Sequence, residues 1–441
     1  MEVPTRRTVL RKAGAAGVIA TAGLAGCSGG GDTGDGGGDS GDDGGDGSDG
    51  GSDSNGGSTS QYTGPSSFHV GVFSSLTGPF APWGPSLVTG AELAAEDLES
   101  EFDIDIEIST YDTEVNPSAA LDRMKRAVTS DGIDFAQGAL SSAVCTSIGT
   151  WASDNGVSYI ADGASDTLTG GSCLPHMFST YSSNTMMANT VGPRMADVAD
   201  NWYLLYSDYV WGQNAQETIA ESIESNGGNV VETEATPFPN DDYTPYLNNV
   251  SNSDADAVGM LIPGVDARLA AEQFRNNGLQ DEFSLMFHQA EDITFWGLSP
   301  ESAAMVDIAS IGWVNSLDSG EDFKTRVAEQ GETDPFVRHA NAYVAMDQQV
   351  RAAIRAESVA AEDIRSELEG HTVESENALD VMPGTTQWRA CDHQLMHPTY
   401  AVSGRAVGDQ QNDPYNAWFN IEGTSAAEDV IRSCEDTGCS L

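Results

Sequence analysis

Covalent chemistry would need a base, a nucleophile or a metal ligand, and the seven histidines are the first residues to weigh. His393 and His397 are four apart, a spacing that on a helix puts both rings on one face, as a shared metal ion requires. Pro398 follows at once and no acid lies between them, so the segment reads as strand and the pair as structural. Ser142 and His288 would supply a hydroxyl and a base from distant parts of the chain, but no orienting acid or oxyanion loop accompanies them. Neither an enzyme, a metal site nor a cofactor is expected. What remains is chemistry of binding: Ser141, Ser142 and Ala143 follow the apolar run 135–140, and Asp162, Gly163, Ala164 and Ser165 follow 157–160. At a helix start, hydroxyls and unpaired backbone N–H groups receive a carboxylate. Helix capping is the structural alternative for the same serines, as core packing is for Trp83 and Trp211.

The elements that must position these residues alternate between two periods. Phe68–Phe73 is a short apolar strand, Gly90–Leu98 a helix, Ile104–Thr110 an alternating strand, and Leu121, Met124 and Val128 fall at helical spacing. Strand 134–137, helix 144–155 and strand 157–160 continue the series. A second series runs through strand 202–206, helix 212–226, strands 230–236 and 257–262, helix 267–277 and strand 283–287. Such alternation predicts parallel sheets covered by helices, and two series predict two α/β lobes. Ligands of open α/β sheets lie beyond the carboxyl ends of the strands, where the small polar residues above are found. Residues 321–369 read as mainly helical, and the remainder as strands and irregular structure.

The charge is extreme. Nineteen basic side chains oppose 68 acidic ones, a net charge of −49, and only three lysines occur (Lys12, Lys125 and Lys324). Phosphate backbones would be repelled, which excludes nucleic acid as a partner. The eight aspartates between residues 28 and 60 explain little of this, because residues 61–441 alone carry −44. Self-repulsion of this size is tolerable where counterions screen it, so the composition points to very high ionic strength, as in a haloarchaeal protein.

At the N-terminus Arg6 and Arg7 precede an apolar run, Ala13–Ala25, which ends in Leu24-Ala25-Gly26-Cys27. Thirteen helical residues rise about 20 Å, short of the roughly 30 Å hydrocarbon core, so this is a signal peptide and not a span. Its paired arginines resemble a twin-arginine export signal, and its last four residues a lipobox that would leave Cys27 lipidated and the protein held on the outer face of the cell membrane. A soluble secreted protein with Cys27 unmodified is the alternative. Residues 28–60 contain fifteen Gly and eight Asp and nothing to bury, the composition of a flexible tether.

Taken in order, Val70–Gly90, Tyr111-Asp112, Ser130–Ile133, Gly138–Ser142, Gly163–Ser165, Ser207–Gly212 and Asp241–Tyr246 resemble the type I periplasmic solute-binding proteins of ABC importers. The nearest resemblance is to the branched-chain amino acid (Leu/Ile/Val) receptors. It covers about residues 66–441 and implies two Rossmann-like lobes with parallel sheets, joined by a three-crossover hinge, with a ligand held between them. The expected layout is a signal peptide at 1–27, a tether at 28–65, a first lobe from 66–185 and 313–388, and a second lobe from 186–312 and 389–441, probing solute as a monomer and delivering it to a permease and its ATPase. The resemblance places Ser142, Ala143, Gly163 and Ser165 at a ligand carboxylate, Trp83 and Trp211 against the ligand body, and Gln289 where amino-acid receptors carry an ammonium-binding Glu. Glu291, Asp292 or Asp266 would replace it after a small shift in alignment. Segments 255–279 and 392–394 also resemble receptors for aromatic and other organic acids, and Ser207–Val210 those for amides and urea. A sensor ectodomain is a further class that shares the fold. With Cys27 lipidated, five cysteines remain; Cys145 with Cys173 and Cys434 with Cys439 are the expected pairs, leaving Cys391 free.

The charge balance generates a direct expectation: the thermal unfolding midpoint rises by 10 °C or more, as an order of magnitude, between about 0.2 M and 3 M KCl. Calorimetry across that series checks it, and a flat or falling midpoint would contradict the high-salt reading.

Overall fold

The computed structural model describes residues 64–441. The expected signal peptide, Cys27 and all but the last residues of the tether lie outside the described residues. Within them, two parallel-rich sheets are each covered by helices. The first has order β2-β1-β3-β4-β5, from β1 (Ser67–Ser74), β2 (Asp105–Asp112), β3 (Phe135–Gly138), β4 (Ser158–Ala161) and β5 (Met177–Ser179), all parallel. Every residue of β3 and β4 is buried, as expected of central strands covered on both faces.

The second sheet has order β14-β13-β10-β9-β8-β6-β7. Five strands in it are parallel: β6 (Asn201–Ser207), β7 (Asn229–Thr236), β8 (Ala257–Leu261), β9 (Ser284–Phe287) and β10 (Ile308–Ile311). An antiparallel edge of β13 (Thr399–Gly404) and β14 (Phe419–Ser425) completes it. The short ribbon of β11 (Gln387–Trp388) and β12 (Leu395–Met396) stands apart. No helix among the described residues is long and apolar enough to cross a membrane.

The chain leaves the first lobe after β5 and builds the second through β10. It then returns for helix Val337–Ala356, which packs on helix Gly84–Phe102. That packing is close because position 90 is glycine: a Cβ there would lie 2.3 Å from the His339 carbonyl oxygen. The chain rejoins the second sheet at β13, and shortly before it the His393 ring stacks on Phe178 at 3.9 Å with its Nδ1 2.9 Å from the Met177 oxygen. Its Nε2 meets Glu369 at 2.9 Å. His397 bridges the Pro398 and Thr180 carbonyls at 3.0 and 3.1 Å. Both histidines thus tie the third crossing to the first.

The cysteine pairing differs from the expected one. Cys173 bonds Cys439 and Cys391 bonds Cys434, while Cys145 is free and buried. The reason is tertiary: the tail after β14 runs back onto the first lobe, where Arg432 donates to the carbonyl of Asp166 at 3.0 Å. Partners 266 and 43 residues apart in sequence are thereby brought together. The Cys145 thiol instead faces the first lobe's interior, 3.1 Å from the Ala139 oxygen, and burial pushes it up to about 12. Non-reducing peptide mapping is expected to recover the 173–439 and 391–434 linkages, with Cys145 alkylated only after unfolding. Native labelling of Cys145, or a Cys434–Cys439 peptide, would refute this topology.

Candidate ligand site between the lobes

The two sheets point their carboxyl ends at one another, and the loops leaving those ends enclose a cavity. Phe80 and Trp83 come from the loop after β1, Leu140 from the loop after β3 and Ala164 from the loop after β4. The second lobe supplies Tyr209 and Trp211 after β6, Ile262–Gly264 after β8, and Gln289–Glu291 after β9. Five aromatic rings stand in the wall: Phe80, Trp83, Tyr209, Trp211 and Phe287.

The lobes touch across the rim. Val265 N–H donates to the Pro79 oxygen at 3.3 Å, the rings of Phe80 and Phe238 lie 5.7 Å apart, and the Arg268 guanidinium sits 5.1 Å over Trp83. Gly264, at φ +65°, makes room for this contact, since a Cβ there would lie 2.8 Å from the Phe80 ring. The cleft is therefore closed.

Its floor is a buried charge network. Arg338, at the start of helix Val337–Ala356, is 5% exposed; its Nη1 lies 2.9 Å from Asp162 Oδ2 on the same lobe, and its Nη2 2.8 Å from Glu291 Oε1 on the other. Its guanidinium lies 3.8 Å over the Tyr181 ring, and Tyr181 donates to Glu291 at 2.9 Å. Asn341 donates to Asp162 at 3.0 Å. Two carboxylates thus share one guanidinium. Burial raises Asp162 to about 6, with Arg338 opposing the shift. Three buried atoms on the cavity wall have no partner: Trp211 Nε1, Gln289 Oε1 and Glu291 Oε2. Gln289 itself is held at φ 58°, a left-handed conformation that a non-glycine residue adopts at some cost.

Of the residues singled out from the sequence, the structure brings Trp83, Ala164, Trp211, Gln289 and Glu291 to this cavity. Ser142, Ala143, Gly163 and Ser165 do not line it. Ser142 Oγ accepts from Ser165 N–H at 3.2 Å, and Ser165 Oγ lies 3.0 Å from Thr167 Oγ1. A Cβ on Gly163 would meet Leu168 at 2.8 Å, so this glycine serves close packing. His288 bonds Asn184 at 3.0 Å and Ser310 at 3.4 Å, and burial lowers it to about 3. Ser142 and His288 thus have separate partners and form no nucleophile–base pair. Asp292 accepts from Trp418 N–H, and Asp266 from Asn240 N–H, both away from the wall.

Arg338, Tyr209 and Phe80 were missed from the sequence. Arg338 had one visible signal, a base directly after the apolar pair Phe336-Val337 in a chain with few bases.

A periplasmic binding protein profile matches residues 67–409. The chain belongs to the periplasmic binding protein family. No curated sequence matches it. Among solved structures, it is similar to a periplasmic binding protein of Burkholderia mallei, with 19% identity and a TM-score of 0.77 over 85% of this chain and 99% of that one. An amino acid ABC transporter substrate-binding protein of Pseudomonas fluorescens is similar at 20% identity and TM-score 0.76, again over 85% and 99% of the two chains. A Rhodopseudomonas palustris solute-binding protein in complex with benzoate is similar at 18% identity and TM-score 0.71, over 85% and 100%. At these identities the likeness concerns the fold. This periplasmic binding protein's two lobes are the fold it shares with those structures.

The floor of the cleft gives a testable consequence. Arg338→Met would leave two buried carboxylates facing each other uncompensated, a loss of about 3–5 kcal/mol in denaturant unfolding at pH 8. Asp162 titrates higher folded than unfolded, so its own contribution to stability falls as pH rises from about 4 through about 6. The penalty of the variant is accordingly expected to shrink toward pH 5, where Asp162 takes up a proton. An equal penalty at both pH values would refute this account of the network.

Proposed function

We propose that this protein is the solute-binding lipoprotein of an ABC importer, held outside the cell by lipid on Cys27, which captures a hydrophobic amino acid between its lobes and hands it to the permease. The observation that carries the choice of ligand is Glu291: a carboxylate inside an aromatic cavity, with one oxygen unpartnered and with buried acids outnumbering buried bases two to one. A desolvated ammonium supplies the missing charge, and the rings of Phe80, Trp83, Tyr209 and Phe287 accept an apolar side chain. Closure follows from contacts that exist only when the lobes meet, such as Arg338 with Glu291 and Phe80 with Phe238. The work is binding and release, and no covalent step is involved.

An aromatic acid is the second reading, favoured by the ring-lined wall and by the relative solved with benzoate. Against it, the one guanidinium on the wall is already shared between Asp162 and Glu291, so an incoming carboxylate would meet excess negative charge.

Thermal unfolding in molar KCl separates the two. Leucine, valine or phenylalanine is expected to raise the midpoint, by the equivalent of about 2.7 kcal/mol at a hundredfold excess over its dissociation constant. The matching deaminated acids and benzoate are expected to leave it in place. A shift with benzoate and none with any amino acid would replace the first reading by the second.

A further inference from the structure

We propose that the C-terminal tail is a fourth connection between the lobes, a single residue long at Ile431, which limits how far they part. On the second-lobe side Val430 is fixed by its carbonyl, which accepts from Asn189 Nδ2 at 2.9 Å on helix Asn184–Val198. Ala427 and Val430 also pack against Met186 of that helix. On the first-lobe side Arg432 donates through Nη2 to the carbonyls of Asp166 at 3.0 Å and Thr169 at 3.4 Å, in the loop after β4. Its own carbonyl accepts from Arg389 Nη1 at 2.7 Å. Ile431 alone lies between the two sets of anchors.

Two bridges make the first-lobe attachment covalent. Cys434 bonds Cys391, in a segment that runs beside edge strand β5, where Ser179 N–H donates to the His393 carbonyl at 3.0 Å. Cys439 bonds Cys173, in the same loop that Arg432 grips. Gly170 lets the tail lie close on that loop: a Cβ there would stand 2.8 Å from the Thr437 carbonyl oxygen.

The shortness of the connection constrains the motion. Two residues of extended chain span at most about 7 Å, so the points held by Val430 and Arg432 cannot separate further unless an anchor gives way. The loop so held borders the cleft. It presents Ala164 to the cavity, carries Asp162 to Arg338, and donates from Asp166 N–H to Asn214 Oδ1 at 2.8 Å on the second lobe. The Asp166 carboxylate also takes the Thr185 N–H at 3.1 Å, so tail, loop and first crossing meet at one residue. With the swing shortened, fewer open arrangements compete with the closed one, and a solute has a smaller free-energy gap to cover on closure. This inference concerns the range of the hinge and holds for any solute.

The test measures interlobe distances in the oxidised, ligand-free protein in molar KCl by pulsed electron paramagnetic resonance. Spin labels are carried on ketone-bearing side chains placed at exposed Asp122 of the first lobe and exposed Glu221 of the second, which leaves the cysteines untouched. The deciding variant inserts Gly-Ser-Gly between Ile431 and Arg432, keeping both bridges and every anchor while adding about 10 Å of slack. Its long-distance edge is expected to move outward by several ångström, up to that added length. Should the insertion fail to fold, the combined variant Cys173→Ser, Cys391→Ser, Cys434→Ser and Cys439→Ser decides by the same measurement, with the same outward shift expected. Calorimetry on each variant separates hinge range from stability. A distance distribution that matches the wild type in the folded variant, whether or not its unfolding midpoint falls, would overturn the proposal and leave the tail and its bridges as staples of the fold.

Discussion

One buried guanidinium joins the two halves of this molecule. Arg338 is planted on the first lobe by Asp162 and Asn341 and reaches Glu291 on the second, with the Tyr181 ring of the first crossing beneath it. Taking charges out of water costs several kcal/mol for each ion, and only close geometry with further hydrogen bonds offsets that cost. Much of the neighbouring structure supplies those bonds: the Tyr181 hydroxyl and the Gln289 amide both donate to Glu291. The left-handed backbone of Gln289, uncommon for its residue type, is part of the turn that delivers Glu291 to the cavity floor. Lobe orientation, cavity polarity and the shape of the loop after β9 therefore depend on the same ion.

Two electrostatic regimes coexist in the chain. The surface carries most of a net charge of −49, and repulsion between exposed acids weakens as salt shortens the Debye length. The floor of the cleft is beyond the reach of that screening, because its charges are buried and meet at hydrogen-bond distance. Stability and recognition are thus set by different groups under different rules. Salt bridges nearer the surface, such as Arg355 with Glu367 at 3.0 Å, belong to the first regime and contribute little each.

The alternation of strands and helices was legible because parallel sheets encode it locally, in buried runs such as Phe135–Gly138 and helical spacings such as Leu121, Met124 and Val128. Helix Asn184–Val198 was passed over: Pro193 lies inside it, and its polar residues at Asn184, Thr185, Asn189 and Thr190 blur the period. Tertiary packing against helix Val210–Ser225 and the second sheet holds it instead. The loops that bear ligand-facing residues were also legible as small-residue turns at strand ends. Which side of each loop faces the cleft was not: Ser142 and Ser165, expected at the ligand, are not among the residues that line the cavity, and they bond one another. The same limit applies to the cysteines, whose spacing says nothing about a tail that doubles back over the first lobe.

Composition and periodicity by themselves determined the charge regime, the α/β class, the two lobes and the strand-end loops, since each follows from interactions between residues near in sequence or from totals that ignore position. The family resemblance was readable for the same reason: its segments are local turns with fixed neighbours. Only the tertiary structure decided that Glu291, two residues beyond the expected position, faces the cavity, that Arg338 spans the lobes, that Trp211 is left with an unpartnered N–H, and that Cys173 meets Cys439. Those are contacts between residues tens to hundreds of positions apart, and their geometry is fixed by the packing of whole elements, a quantity that no window of sequence contains.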